Sequence, residues 1–185
     1  MQKKKIGILI GSLRKESFNR KIANHIKKNI TKNIDFEEIK ISELPFYNED
    51  FENDNLPESY ENFRKKIAAL DGILFISPEY NRSVSAVIKN ALDVGSRPYG
   101  KSVWNLKPAA IITSSIGAIG GFGANHHLRQ SLVFLNMPCL AQPEAYIGNS
   151  SKLFDHEGKL INEDTDKFLN QFVTAFSDWI ELFQK

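Results

Sequence analysis

The chain has 185 residues, 42% apolar and 25% charged, with a formal net charge of +2; this composition predicts one soluble domain over 1–185, large enough to bury a core unaided. A lone cysteine, Cys139, excludes an intramolecular disulfide and fits a reducing cytoplasm; the apolar stretch after Met1 is too short for a signal peptide, and no run reaches the roughly 20 apolar residues of a membrane span. The basic clusters Lys3–Lys5, Lys27–Lys28 and Lys65–Lys66 are scattered, so they read as solvated faces and not as a nucleic-acid footprint.

Apolar runs alternate with helical patterns. Residues 5–10, "KIGILI", are continuously apolar, as expected of a parallel strand covered on both faces. A helix follows with Ile22, Ala23, Ile26 and Ile30 at helical spacing. Residues 35–41 alternate and predict an edge or second strand. Residues 42–59 hold two prolines and many Asn, Asp and Glu residues, and read as a long connection of the kind that is often functional. A second helix is expected at 58–70, a third strand at 72–77, a helix at 84–96 and a fourth strand at 108–115. A helix at 124–136 carries Ala124, Leu128, Leu132 and Leu135 on one face. A fifth, irregular strand is expected within 137–148, a hairpin-like excursion at 156–160, and a last helix at about 163–184. That helix stacks Phe168, Leu169, Phe172, Val173, Phe176, Trp179, Ile180 and Phe183 on a stripe expected to be core.

Such alternation argues a doubly wound α/β fold with a five-stranded parallel sheet and helices on both faces. Ligands of such sheets sit beyond the carboxyl ends of the strands. A flavodoxin-like strand order of 2-1-3-4-5 would bring three turns to that edge. "GSLRKESFN" offers Ser12, Ser17, Asn19 and the forked cation of Arg14 at a helix N-terminus, a setting suited to a phosphate monoester. Ser17 and Asn19 are equally ordinary helix caps. "SPEYNRSVS" places Pro78, Glu79, Tyr80 and Asn81 after a buried strand, with Tyr80 a flat face and Asn81 a donor and acceptor; the plain alternative is a surface turn capped at Ser83 or Ser85. "SSIGAIGGFGAN" has four glycines and could present backbone to a planar heterocycle, or simply connect strand to helix. Metal and triad readings find no support: His126 and His127 diverge by about 100° on a helix, His25 and His156 stand alone, and Cys139 reads as a small buried residue.

These turns resemble those of the NADPH-dependent FMN reductases, the flavodoxin-like group of quinone, chromate and azo-dye reductases. "GSLRKESFNRKIA" is similar to that family's phosphate loop, "SPEYNRSVSAVIKNALDVGSRP" to its P-E-Y-N signature, and "LPFYNED" to its connection after the second strand. Residues 114–140 resemble its glycine loop and following helix. The chain differs at Ala86, where glycine is common, at Val94, where Trp is frequent, at Phe122–Gly123, where many members carry Ala–Arg, and at His126, where Tyr is frequent.

The resemblance implies FMN at the sheet edge. Ser12, Arg14, Ser17 and Asn19 would hold the 5′-phosphate, Pro78, Glu79, Tyr80 and Asn81 would flank the ring and ribityl chain, and Ser115, Gly117 and Gly120 would line its polar edge. It implies NADPH or NADH as hydride donor, a small-molecule electron acceptor (a quinone, azo compound, metal oxyanion or free flavin), and a homodimer or a tetramer of paired dimers. No catalytic acid or base and no metal ligand is expected, because the hydride chemistry belongs to the flavin. A flavodoxin-like electron carrier and a non-catalytic nucleotide-binding module are the alternatives on this fold.

Overall fold

The computed structural model describes residues 3–30, 33–53 and 55–183. Five strands, β1 (Lys4–Ile10), β2 (Ile34–Glu38), β3 (Gly72–Pro78), β4 (Ala109–Ser114) and β5 (Ala145–Ile147), form one sheet in the order β2-β1-β3-β4-β5. All four pairings are parallel. The helices are α1 (Phe18–Asn29), α2 (Glu58–Ala68), α3 (Ala86–Gly95), α4 (Phe122–Phe134) and α5 (Glu163–Glu181).

The period-two geometry of the strands divides the core. Ile6, Ile8 and Ile10 of β1 point with Leu74, Ile76, Ala110 and Ile112 to one face, where α1 and α5 cover them. Leu9, Ile73, Phe75 and Ile111 point to the other, beneath α2, α3 and α4. Both faces are covered, which is why β1, β3 and β4 read as unbroken apolar runs.

Several boundaries differ from expectation. β2 ends at Glu38; Ile39 makes one further backbone bond to Ile8, then Ile39 and Ile41 turn into the α2 side of the core. β5 is reduced to Ala145–Ile147, because the segment before it touches β4 only around Ala109, then meets Pro143, which has no N–H to donate. α4 begins two residues before the predicted start because Gly121, at φ 84°, takes the left-handed conformation that opens it. In α5, Leu169, Phe172, Val173, Phe176 and Ile180 are buried as expected, whereas Phe183 lies past the helix end and is 40% exposed. The predicted end of that helix at 184 lies outside the described residues. The 156–160 excursion is closed by an antiparallel bridge between Phe154 and Leu160.

The long connection holds less free aromatic surface than its composition suggests. Tyr47 stacks on Tyr60 at 6.4 Å and Phe51 meets the same ring edge-on at 6.3 Å. Phe46 alone of the three is exposed. Asn90 of α3 holds this segment, accepting from Tyr47 N–H at 2.8 Å and donating to Leu44 and Pro45 carbonyls at 3.2 and 2.9 Å. No described helix is long and apolar enough to cross a membrane.

Candidate functional site

Ile10, Ile76 and Ile112 lie side by side in register; β1 ends there, and β3 and β4 run two residues further, to Pro78 and Ser114. The turns that follow therefore emerge together, as the strand order requires.

The first turn leaves β1 through Gly11, whose N–H donates to Ile76 O at 2.8 Å. A side chain at Gly11 would lie 2.6 Å from Ser85 Oγ, so the turn can run this close to α3 only with glycine. Ser12 is buried, while Leu13, Arg14, Lys15 and Glu16 stand in solvent. Ser17 is the N-cap of α1: its Oγ accepts from Arg20 N–H at 3.2 Å. Asn19 is buried and accepts from Ser114 Oγ at 3.1 Å, tying α1 to the end of β4. Apart from Arg20 N–H, which Ser17 caps, the first amides of α1 lack helical partners, as at every helix start.

The second turn is tight. Tyr80 and Ser83 exchange backbone hydrogen bonds of 3.1 and 3.0 Å, and both central residues are left-handed, Asn81 at φ 51° and Arg82 at φ 65°. Tyr80 is left half-exposed and Asn81 at the tip. Ser85 precedes α3 but does not cap it; its hydroxyl is buried without a partner among the described residues. Glu79 turns inward, and its Oε2 accepts from the Ala124 N–H of α4 at 3.0 Å.

The third turn is fastened to the chain after β5. Ser115 N–H donates to Ile147 O, and Ser115 O accepts from the Ser150 amide and hydroxyl at 3.1 and 2.6 Å. Gly120, at φ 67°, is held so that any Cβ would meet the Tyr146 carbonyl carbon at 2.5 Å. Gly117 is different: a Cβ there would find nothing nearer than Ser115 Oγ at 3.6 Å.

Sequence reasoning named Tyr80 but missed the other large apolar residues exposed on these turns. Leu13, Tyr80, Ile116, Ile119 and Phe122, drawn from all three turns, are between 47% and 69% exposed. Large apolar residues inside otherwise small and polar turns were the available signal. It also missed Tyr146, which stacks with His126 beside Phe122 and has its hydroxyl pushed up to about 12, by burial first and then by the neighbouring Glu144 carboxylate. Two isolated residues prove to have neighbours: His25 Nε2 lies 2.6 Å from Asp166 Oδ1 of α5, and Cys139 is only half-buried, with Arg129 Nη1 at 3.5 Å from its sulfur. Burial still pushes the Cys139 thiol above its ordinary value. The described residues contain no cluster of metal-ligating side chains.

A 2-1-3-4-5 parallel sheet whose β1, β3 and β4 turns emerge at one edge defines the flavodoxin-like class. Residues 4–152 match the family model of NADPH-dependent FMN reductase, and the chain belongs to that family. It is 51% identical over 177 residues to a quinone reductase of Pseudomonas putida, covering 96% of this chain and 95% of that protein. It is 42% identical over 176 residues to a 2-hydroxy-1,4-benzoquinone reductase of a Burkholderia species, covering 95% and 96%. Among solved structures it is similar to FerB, a flavoenzyme NAD(P)H:(acceptor) oxidoreductase from Paracoccus denitrificans, with a TM-score of 0.91, 39% identity and coverage of 97% and 98%. The chain is thus an oxidoreductase that uses FMN with NAD(P)H as electron donor, and the carrier and non-catalytic readings are set aside. The residues present suit that cofactor: the open space before Gly117 leaves its backbone approachable, and the start of α1 is suited to an anion.

Proposed function

We propose that this chain reduces quinones with NAD(P)H, and that the three turns form its FMN site. Bound FMN supplies the hydride-accepting and hydride-donating chemistry. Ser12, Arg14, Ser17 and Asn19 hold its phosphate: Arg14 brings a forked cation from solvent, and Ser17 keeps its hydroxyl proton free to donate while capping α1. Pro78, Glu79, Tyr80 and Asn81 flank the ring and ribityl chain, Glu79 through its backbone. Ser115, Gly117 and Gly120 present the polar edge.

The observation that carries the reading is that the three turns combine buried polar residues, Ser12, Ser17, Asn19 and Ser114, with large apolar residues left exposed, Leu13, Tyr80, Ile116, Ile119 and Phe122. A flat, uncharged acceptor gains from such residues by covering apolar surface. The quinone-reductase names of the relatives favour the same acceptor class.

We also place the protein in the cytoplasm and propose that it works as a homodimer, open to pairing into a tetramer. A groove of about 710 Å³ runs between α3 and α4, lined in part by Val84, Leu92, Phe134 and Leu135. It starts at the second turn, so a second copy seated on it would stand beside the proposed flavin site.

The test is direct. Heat should release FMN from the purified protein, NADPH should bleach it without oxygen, and 1,4-benzoquinone should restore the colour. Release of FAD, or bleached protein that benzoquinone fails to reoxidise, would overturn the cofactor or the acceptor assignment respectively.

A further inference from the structure

We propose that Glu79 is a positioning residue: its side chain clasps the second turn to the start of α4 and so fixes the spacing of two walls of the flavin site. The inference rests on the proposed site, and it concerns the Glu79 side chain, not its backbone.

Four observations meet at this contact. The Glu79 side chain is only 11% exposed although it stands on a surface turn. Its Oε2 accepts from Ala124 N–H at 3.0 Å, filling one of the donors that a helix start leaves open. Its other oxygen, Oε1, faces Arg82 Nη1 at 3.3 Å, so the carboxylate is gripped from both sides. Gly123 completes the fit: a Cβ there would fall 2.7 Å from Arg82 O and 3.0 Å from Glu79 Oε2. Backbone of the second turn therefore lies against the first turn of α4 with no room between them. His127, one turn further along α4, stands with Nδ1 3.0 Å from Ser83 Oγ and adds a second point of attachment.

The chemistry has a consequence for the site. The starts of α1, α3 and α4 follow the three turns at this sheet edge, and a helix start attracts negative charge. At α4 the protein supplies its own carboxylate. The start of α1 carries no acidic residue in its first turn and stays available for the cofactor's phosphate. Glu79 thus closes the start of α4 with its hydrogen bond while holding Tyr80 and Asn81 at a set distance from the α4 loop. A clasp of this kind acts through hydrogen-bond geometry, so glutamine, which keeps an accepting oxygen, should replace it.

The experiment compares wild type, Glu79→Ala, Glu79→Gln and Gly123→Ala as full-length protein. FMN affinity is read by quenching of flavin fluorescence, and exchange of the Ala124 amide with solvent by NMR without added flavin. Glu79→Ala should speed Ala124 exchange and weaken FMN binding about 10-fold, within the usual range of coupling between distinct sites. Glu79→Gln should stay within about 3-fold of wild type on both. Gly123→Ala, which forces the same contact apart from the other side, should weaken FMN binding like Glu79→Ala, and it carries the test if Glu79→Ala fails to fold. Unchanged FMN affinity in both alanine variants would overturn the clasp, as would a glutamine variant as weak as alanine, since the effect would then lie in charge. Wild type that binds no FMN would overturn the flavin site instead, and Ala124 exchange would still decide whether the contact exists.

Discussion

Leu106 shows how much a single φ angle can hold. It sits at φ 57° with its side chain 59% exposed, pinned by its N–H donating to Asn136 O at 2.9 Å. A left-handed leucine is disfavoured by about 1–2 kcal/mol, and asparagine tolerates the same angle. Leu106→Asn should therefore stabilise the protein by about 0.5–1 kcal/mol, read as a raised denaturant midpoint. Arg14 works in the opposite sense, because it is exposed and its proposed task is the phosphate. Arg14→Ala should weaken FMN binding by about 1.5–3 kcal/mol, on the order of 10- to 100-fold, and leave the unfolding of the flavin-free chain unchanged. Glu38 carries a pH dependence. Burial pushes its carboxyl up, but the Arg20 hydrogen bond and charge, with Lys27, outweigh that and hold it below its ordinary value of 4.5. A carboxyl depressed in the folded state contributes stability above its unfolded value and loses it as pH falls through the folded one. At neutral pH Glu38→Gln should be less stable than wild type by about 0.5–1 kcal/mol, and the gap should close progressively as the pH is lowered below 4.5.

At the scale of elements, contacts between helices and loops reverse simple propensity. Gly95 ends α3, where alanine would ordinarily favour the helix. A Cβ there would meet the Trp104 ring at 2.5 Å. That ring cannot yield: it is fully buried, donates through Nε1 to Leu92 O at 2.9 Å, and meets Phe63 edge-on at 5.9 Å. Gly95→Ala should thus destabilise by about 1–3 kcal/mol, the usual cost of overpacking. Asn90 fastens the 42–57 connection, and its removal strands the Tyr47 N–H and the Leu44 carbonyl and leaves the Pro45 carbonyl with the Tyr60 hydroxyl. Asn90→Ala should cost about 2–3 kcal/mol, near one per lost bond. Limited proteolysis should then cut the connection before the sheet unfolds; a connection as resistant as in wild type would show that the Tyr47–Tyr60 stack holds it alone.

For the whole molecule, the informative surface is the outer side of α4. Val133 and Phe134 are 78% and 86% exposed, and Phe134 lines the groove that begins at the second turn. Soluble homo-oligomers most often close about a two-fold axis, and a stable contact buries more than roughly 1,000 Å². Sedimentation at micromolar concentration should give twice the chain mass of 21.0 kDa, or four times if dimers pair. Phe134→Asp should shift the protein toward a single chain and weaken FMN binding with it. A monomer that still holds FMN and oxidises NADPH would show that the site is complete within one chain.

The doubly wound class and the flavin family were legible from residue order, because both rest on local patterns. Unbroken apolar runs mark strands covered on two faces, and the turn after each run stands at a known end of the sheet whatever the distant chain does. Side-chain partners were not legible. Glu79 finds Ala124 across 45 positions, Asn19 finds Ser114 across 95, and His25 finds Asp166 across 141. The same limit hid the fates of Tyr47 and Phe51, which lie in a stretch that reads only as a long connection and which pack on Tyr60 of α2. It hid the difference between Gly117 and Gly120, identical as letters, one before open space and one against the Tyr146 backbone. Hydrophobic periodicity is written along the chain and survives without tertiary contacts. A hydrogen bond needs its two atoms within about 3 Å, and only the packed arrangement of the helices on the sheet sets which distant residues come that close.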